Sequence, residues 1–138
     1  MIHHTKSVKE TQKIAKDIAK NYKGGVIALI GDLGAGKTTF TQGFAEGLGI
    51  KDKIISPTFV LMRQHPVPNS KKVLYHIDLY RLEGEINIRE LGISELIDDT
   101  EAIVLIEWAE KIEQKLPDNT LKINFRKAEE DLRIIEVN

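Results

Sequence analysis

An α/β fold, with a mostly parallel central sheet flanked by helices and a C-terminal antiparallel hairpin, is predicted by three features of this sequence. Two short, continuous apolar runs, Val26–Ile30 and Ala102–Ile106, have the pattern of strands covered on both faces. The first run leads directly into Gly31-Asp32-Leu33-Gly34-Ala35-Gly36-Lys37-Thr38, which fits G-x-x-x-x-G-K-[ST] at every fixed position and opens a helical pattern. Near the end of the chain, Leu121–Phe125 and Leu132–Val137 alternate in strand fashion around the polar stretch Lys127–Asp131, as a hairpin does. Strand, glycine-rich loop and helix in that order narrow the class to the P-loop NTPase fold. With 138 residues, one domain spanning 1–138 is the expectation, and it is large enough to bury a real core.

Composition excludes several classes of function. The net charge is −1 with both signs interspersed, so the chain is not built to grip DNA or RNA backbone unaided, and Lys71-Lys72 is too short to be a basic patch. The absence of cysteine excludes disulfides and thiolate metal sites and accords with a reducing cytoplasm. No apolar run approaches the length of a membrane span, and the N-terminus lacks the apolar core of a signal peptide, so no membrane association is expected.

Taken in order, His3 and His4 read as solvated residues at a loose end rather than as a metal pair. Ser7-Val8-Lys9-Glu10 is a capping box, and the helix it opens runs to about Asn21, with Val8, Ile14, Ala15, Ile18, Ala19 and Tyr22 roughly on one face. In the glycine-rich loop, Gly31, Gly34 and Gly36 permit turns closed to residues with a Cβ, so that backbone N–H groups can surround a phosphate chain. Lys37 supplies an ammonium for the β- and γ-phosphates and Thr38 a hydroxyl for magnesium. Phe40, Phe44, Ala45 and Leu48 recur at helical spacing through Thr38–Leu48, and Gly49 stands where a C-cap belongs. The positive end of that helix faces the phosphates.

Further on, Pro57 holds Ser56 out of helical geometry, so Ser56 and Thr58 sit on a bend before a strand expected over Phe59–Gln64. Two readings of their hydroxyls stand side by side: one orients a water or touches the γ-phosphate, the other closes a local turn. Pro66–Ser70 is a turn, and Lys72–Ile77 a strand ending in Asp78, an acid at the crevice where parallel sheets bind ligands. His76 alternates with Asp78 and is read as a satisfied core histidine. Glu83–Asp99 is expected to be mostly helical with a break near Gly92; Ile86, Ile88, Leu91, Ile93, Leu96 and Ile97 supply core, and Glu85, Glu90 and Glu95 stay solvated or in surface pairs. Ala102–Glu107 has the Walker-B pattern with Glu in place of Asp. Asp78 and Glu107 compete for the magnesium-linked role, and Glu107 is preferred because its strand is the more uniformly apolar. Trp108 is either a wall of the site or a cap on the core. A helix over Ala109–Leu116 is stopped by Pro117.

Five of these segments together resemble one family. Gly31-Asp32-Leu33-Gly34-Ala35-Gly36-Lys37-Thr38-Thr39, Ser56-Pro57-Thr58-Phe59, His76-Ile77-Asp78-Leu79-Tyr80-Arg81, Gly92-Ile93-Ser94-Glu95-Leu96 and Ile106-Glu107-Trp108-Ala109-Glu110 are similar, in order and spacing, to the TsaE (YjeE/YdiB) family. That is the bacterial P-loop ATPase of tRNA threonylcarbamoyladenosine (t6A) modification. The resemblance covers essentially the whole chain. It implies that Lys37 and the backbone of Gly34, Ala35, Gly36, Thr38 and Thr39 hold the phosphates of ATP or ADP. It implies that Thr38 and Glu107 form the magnesium-linked pair, that Asp78 and Thr58 are catalytic-site residues, and that the region of Thr11 approaches the adenine. It further implies Mg2+-dependent hydrolysis of ATP to ADP and phosphate that is slow in the isolated chain and belongs to a complex with TsaD and TsaB. Those partners carry threonylcarbamoyl transfer to the adenosine beside the anticodon, and tRNA is met through the complex. One departure is Lys111, where many relatives have arginine; the bidentate fork is lost, and Arg81 becomes the better charge donor within the chain.

Two other readings are weaker. A small-molecule P-loop kinase needs an acceptor site and usually a lid over the phosphates, and no insertion here is long enough for an obvious one. A GTPase switch needs the guanine-reading N-K-x-D and a D-x-x-G after a strand, and both are absent from the sequence.

Overall fold

The computed structural model describes residues 1–32, 34–54 and 61–138. Among them, seven strands form one sheet: β1 (Ile2–Thr5), β2 (Gly25–Gly31), β3 (Met62–Pro66), β4 (Val73–Asp78), β5 (Ala102–Glu107), β6 (Leu121–Lys127) and β7 (Arg133–Val137), in the spatial order β1-β7-β6-β2-β5-β4-β3. The central four, β6, β2, β5 and β4, run parallel. The outer pairs β3–β4, β6–β7 and β1–β7 are antiparallel. The α/β class and the mostly parallel centre are therefore as expected.

Burial explains why β2 and β5 read as unbroken apolar runs. All six residues of β5 are buried. Ile103 and Leu105 join Ile27 and Leu29 in the core on one face, while Val104 and Ile106 join Val26 and Ala28 on the other. A strand with a core on each face has no polar side to alternate with. The first core is closed by helices α1 (Val8–Asn21) and α2 (Lys37–Gly47), through Ala15, Ala19, Phe40 and Phe44. The second is closed by a short helix α3 (Ile93–Ile97) and a 3₁₀ helix (Ala109–Lys115), through Ile93, Ala109 and Ile112.

The first half of the capping box forms as expected: Ser7 Oγ accepts the Glu10 N–H at 3.1 Å and fixes where α1 begins, while the Glu10 carboxylate meets the Ser7 hydroxyl at 3.4 Å. The backbones of α1 and α2 then touch. A Cβ at Gly43 would lie 2.5 Å from the Gln12 carbonyl oxygen, and one at Gly47 would lie 2.7 Å from that of Lys16. These contacts are with main chain, so nothing flexible can give way. Gly43→Ala is expected to force the helices apart and destabilise the fold by about 2 kcal/mol. Thermal unfolding checks this, with a Tm lower by roughly 5–10 °C as the expected result.

Four expectations need correction. His3 and His4 are not at a loose end: they lie in β1, opposite Ile135 and Ile134 of β7. The Met1 ammonium donates to the Val137 carbonyl and the Val137 N–H donates back to Met1, each at 2.8 Å. Four residues are too short a run to announce a strand, and only the open edge of β7 makes one of them. The stretch Glu83–Asp99 is helical only over Ile93–Ile97. Asn87 Oδ1 accepts the N–H groups of Arg89 (3.0 Å) and Glu90 (3.3 Å), and Gly84 and Gly92 take φ of +73° and +78°, so turn chemistry prevails over apolar spacing. The helix after Trp108 is 3₁₀ rather than α and is broken at Ile112 (φ −132°). The C-terminal hairpin is antiparallel within itself, but β6 joins β2 in parallel.

The strand expected over Phe59–Gln64 appears as β3 at Met62–Pro66. Ser56, Thr58 and Phe59 lie outside the described residues. No helix among the described residues is long and apolar enough to cross a membrane.

Candidate functional site

The C-terminal ends of β4 and β5, the loop after β2 and the start of α2 border a cleft of about 490 Å³. Gly34, Gly36, Lys37, Thr38 and Thr39 line one side of it, Asp78 and Glu107 another, and Thr11 a third. Of the site residues expected from sequence, Thr58 lies outside the described residues. Ala35 is buried beneath the loop, with its N–H donating to the Asp32 carbonyl at 3.1 Å.

The loop requires glycine at its first position. Gly31 has φ +148°, and a Cβ there would lie 2.4 Å from the Phe125 carbonyl oxygen on the neighbouring strand. Gly36 is the N-cap of α2 in the left-handed region (φ +106°), and no described side chain caps that end. The opening N–H groups of a helix have no acceptor inside the helix, so this end is suited to an anion.

Lys37 is 5 % exposed, unusual for a lysine. Its Nζ donates to the Gly31 carbonyl and lies 3.4 Å from the centroid of the Trp108 ring. Burial lowers its pKa below the ordinary lysine value; Glu110, Glu107, Asp78 and Asp32 act in the opposite direction. Trp108 therefore serves as a wall beneath the ammonium while also packing against the second core, so both readings of it hold.

Glu107 is 2 % exposed at the end of β5. The Thr38 hydroxyl donates to its Oε1 at 3.0 Å, and His76 Nε2 lies 2.5 Å from its Oε2. His76 is wholly buried, as a core histidine is, but it also fixes the direction in which that carboxylate faces. Asp78 is the register partner of Glu107 on β4, which sets two acids side by side at the crevice. Asp78 Oδ1 accepts the Tyr80 N–H at 2.9 Å. Thr11 is buried in the first turns of α1, with its hydroxyl 2.8 Å from that of Thr5.

A family model described as "Threonylcarbamoyl adenosine biosynthesis protein TsaE" matches residues 5–135. The chain belongs to the TsaE family. It is 45 % identical over 132 residues to the tRNA threonylcarbamoyladenosine biosynthesis protein TsaE of Bacillus subtilis, covering 95 % of this chain and 80 % of that one. To the TsaE protein of Rickettsia typhi it is 36 % identical over 138 residues, covering 99 % and 93 %. The crystal structure of Bacillus subtilis YdiB superposes with a TM-score of 0.77 at 38 % identity, covering 99 % of this chain and 83 % of that one.

Two residues that hold the glycine-rich loop beside this TsaE cleft escaped the sequence reading. Glu110 Oε2 accepts the Gly31 N–H at 3.3 Å and so ties the 3₁₀ helix to the glycine-rich loop. Its signal was its place just after Glu107, but the left-handed turn at Trp108 (φ +60°) that brings it back is not encoded by any spacing rule. Arg133 opens β7, lines the cleft, and donates from Nε to the Gly34 carbonyl at 3.2 Å. Nothing in a strand-like alternation marks that arginine as different from its neighbours.

Proposed function

We propose that this chain has the P-loop NTPase fold, binds ATP with Mg2+ in the cleft, and hydrolyses it slowly to ADP and phosphate. It would act in the cytoplasm with TsaD and TsaB, as the ATP-using component of t6A modification, and meet tRNA through that complex. The observation that carries the reading is the convergence of a helix end that no described side chain caps, a buried lysine and a threonine–glutamate pair 3.0 Å apart on one cleft. The TsaE relatives, named for threonylcarbamoyladenosine biosynthesis, support the pathway.

The donor set fits magnesium. A hydroxyl and a carboxylate oxygen are hard ligands, and among the described residues there is no cluster of three or more His, Cys, Asp or Glu that could hold a metal by itself. Mg2+ typically takes one or two protein oxygens and completes its shell with phosphates and waters. Thr38 and Glu107 would hold it, and once bound it neutralises charge on the β- and γ-oxygens. The chain's own part is positioning. The opening amides of α2 and the Lys37 ammonium bind the phosphates, Glu107 is kept in line by His76, and Asp78 stands beside it for an attacking water. No covalent enzyme intermediate is needed.

Phosphate release from ATP tests this, by the chain alone and then with the TsaD–TsaB pair, with Lys37→Ala as control in both. A slow basal rate, stimulated by the pair and lost in the variant, is expected. Nucleotide binding without stimulation would keep the cleft assignment and remove the partnership. Phosphate transfer to a small acceptor, in place of free phosphate, would make the chain a kinase.

A further inference from the structure

Lys111 gathers the main chain that follows β4. Its Nζ donates to the carbonyl oxygens of Leu79 (3.0 Å), Tyr80 (2.8 Å) and Leu82 (2.6 Å). An ammonium has three N–H donors, and three carbonyls take all of them. The segment so held is also folded onto its surroundings: Leu79 N–H donates to the Glu107 carbonyl at 3.2 Å, and Leu82 N–H to the Leu79 carbonyl at 3.1 Å. It brings Asp78, Tyr80 and Arg81 into the cleft wall and sets the Tyr80 ring 5.1 Å from that of Trp108. Lys111 itself stands behind that wall in the 3₁₀ helix, beside Glu110, which holds the glycine-rich loop through the Gly31 N–H. One short helix thus fastens both sides of the cleft.

We propose that Lys111 is a positioning residue whose ammonium clamps Leu79–Leu82, so that Asp78 and Arg81 are held in the wall of the cleft that Lys37 also lines. What the clamp serves rests on the proposed ATPase function; the clamp itself does not. A direct role for Lys111 in neutralising charge on phosphate is disfavoured, because its donors are committed to main chain. Charge-assisted bonds to carbonyls are about twice as strong as neutral ones. A lysine point charge also suits three oxygens converging from one turn. Arginine keeps the charge and enough donors to satisfy most of them.

The test compares wild type, Lys111→Met and Lys111→Arg in the full chain. Met keeps the aliphatic stem and deletes only the ammonium. Hydrogen exchange of the nucleotide-free protein reads the clamp directly. The amides of Leu79, Tyr80 and Leu82 are expected to exchange about tenfold faster in Lys111→Met, with Tm within about 3 °C of wild type. Phosphate release in the presence of TsaD and TsaB reads the consequence. It is expected to show kcat lowered about tenfold with KM for ATP within about twofold, since a wall displaced by a fraction of an ångström misplaces the catalytic groups while leaving most binding contacts. Lys111→Arg is expected to restore most of both. Unchanged exchange over 79–82 in Lys111→Met would overturn the clamp. Unchanged kcat despite faster exchange would overturn its positioning role, as would a general loss of stability that the arginine variant shares. If wild type releases no phosphate under any condition, the ATPase reading fails, and the exchange measurement still decides the clamp.

Discussion

Lys37→Met should lower ATP hydrolysis by at least about a hundredfold, the scale seen when a preorganised electrostatic contact to a reacting group is removed. Tm should meanwhile stay at or slightly above that of wild type. The two halves of this result come from the same facts. Lys37 is 5 % exposed and surrounded by Glu110, Glu107, Asp78 and Asp32. Without its charge, a polyphosphate entering the cleft meets those carboxylates with much less to offset them, so binding weakens together with turnover. In the absence of nucleotide, the buried ammonium is no asset to the fold. Its folded pKa lies below the ordinary value of 10.5, with burial the chief cause, so the charged form is disfavoured on folding. By linkage, a lysine with a depressed pKa contributes stability above pH 10.5 and loses it as pH falls through the folded value. At neutral pH the charge is therefore a net cost, which the neighbouring carboxylates Glu110, Glu107, Asp78 and Asp32 only partly offset. Methionine removes it while filling the space. Any advantage of the variant in Tm should shrink as pH is raised toward 10.5, and thermal scans across pH check that sign. A variant that lost activity and several degrees of Tm together would show Lys37 to be structural.

Much of this site was legible because its signals are local. The glycine-rich loop is contiguous, and Gly31, Lys37 and Thr38 can be assigned roles from spacing alone. The apolar run ending in Glu107 was legible for a related reason: a strand buried on both faces cannot alternate, and a carboxylate at the end of such a run stands out. Asp78 was legible as an acid closing a shorter, mixed strand. Placing the two acids side by side, however, needed the β4–β5 register of Asp78 with Glu107. What was hidden depends on turns and on edges. Glu110 reaches Gly31 only because Trp108 adopts a left-handed backbone, which a tryptophan rarely takes. The helical reading of Glu83–Asp99 failed because Asn87 offered its side chain to two backbone N–H groups, and apolar spacing does not register that competition. β1 exists only because β7 has an edge to cover, a fact about the finished sheet rather than about Ile2–Thr5.

Glu107→Gln is the second large effect, and it separates two acids that register alone leaves equivalent. Glutamine keeps the size of the side chain and an oxygen that can accept the Thr38 hydroxyl, but it carries no charge for a divalent cation. Phosphate release should fall by about a hundredfold or more, and the residual rate should no longer respond to Mg2+ in the millimolar range. Glu107→Ala should do the same and also destabilise the fold by about 2–4 kcal/mol. It would strip His76 Nε2 of its partner, and His76 Nδ1 has none among the described residues, so a wholly buried imidazole would lose its 2.5 Å contact. Asp78→Asn should behave differently, with a lowered rate that retains its Mg2+ dependence, because it is Glu107 that has the Thr38 hydroxyl 3.0 Å away. Rates across a Mg2+ titration distinguish the variants, and Mg2+-dependent stabilisation by ADP in thermal scans gives the same answer without turnover. If Glu107→Gln keeps its Mg2+ response while Asp78→Asn loses it, the metal-linked carboxylate is Asp78. The His76–Glu107–Thr38 chain would then be a structural tie between β4, β5 and α2.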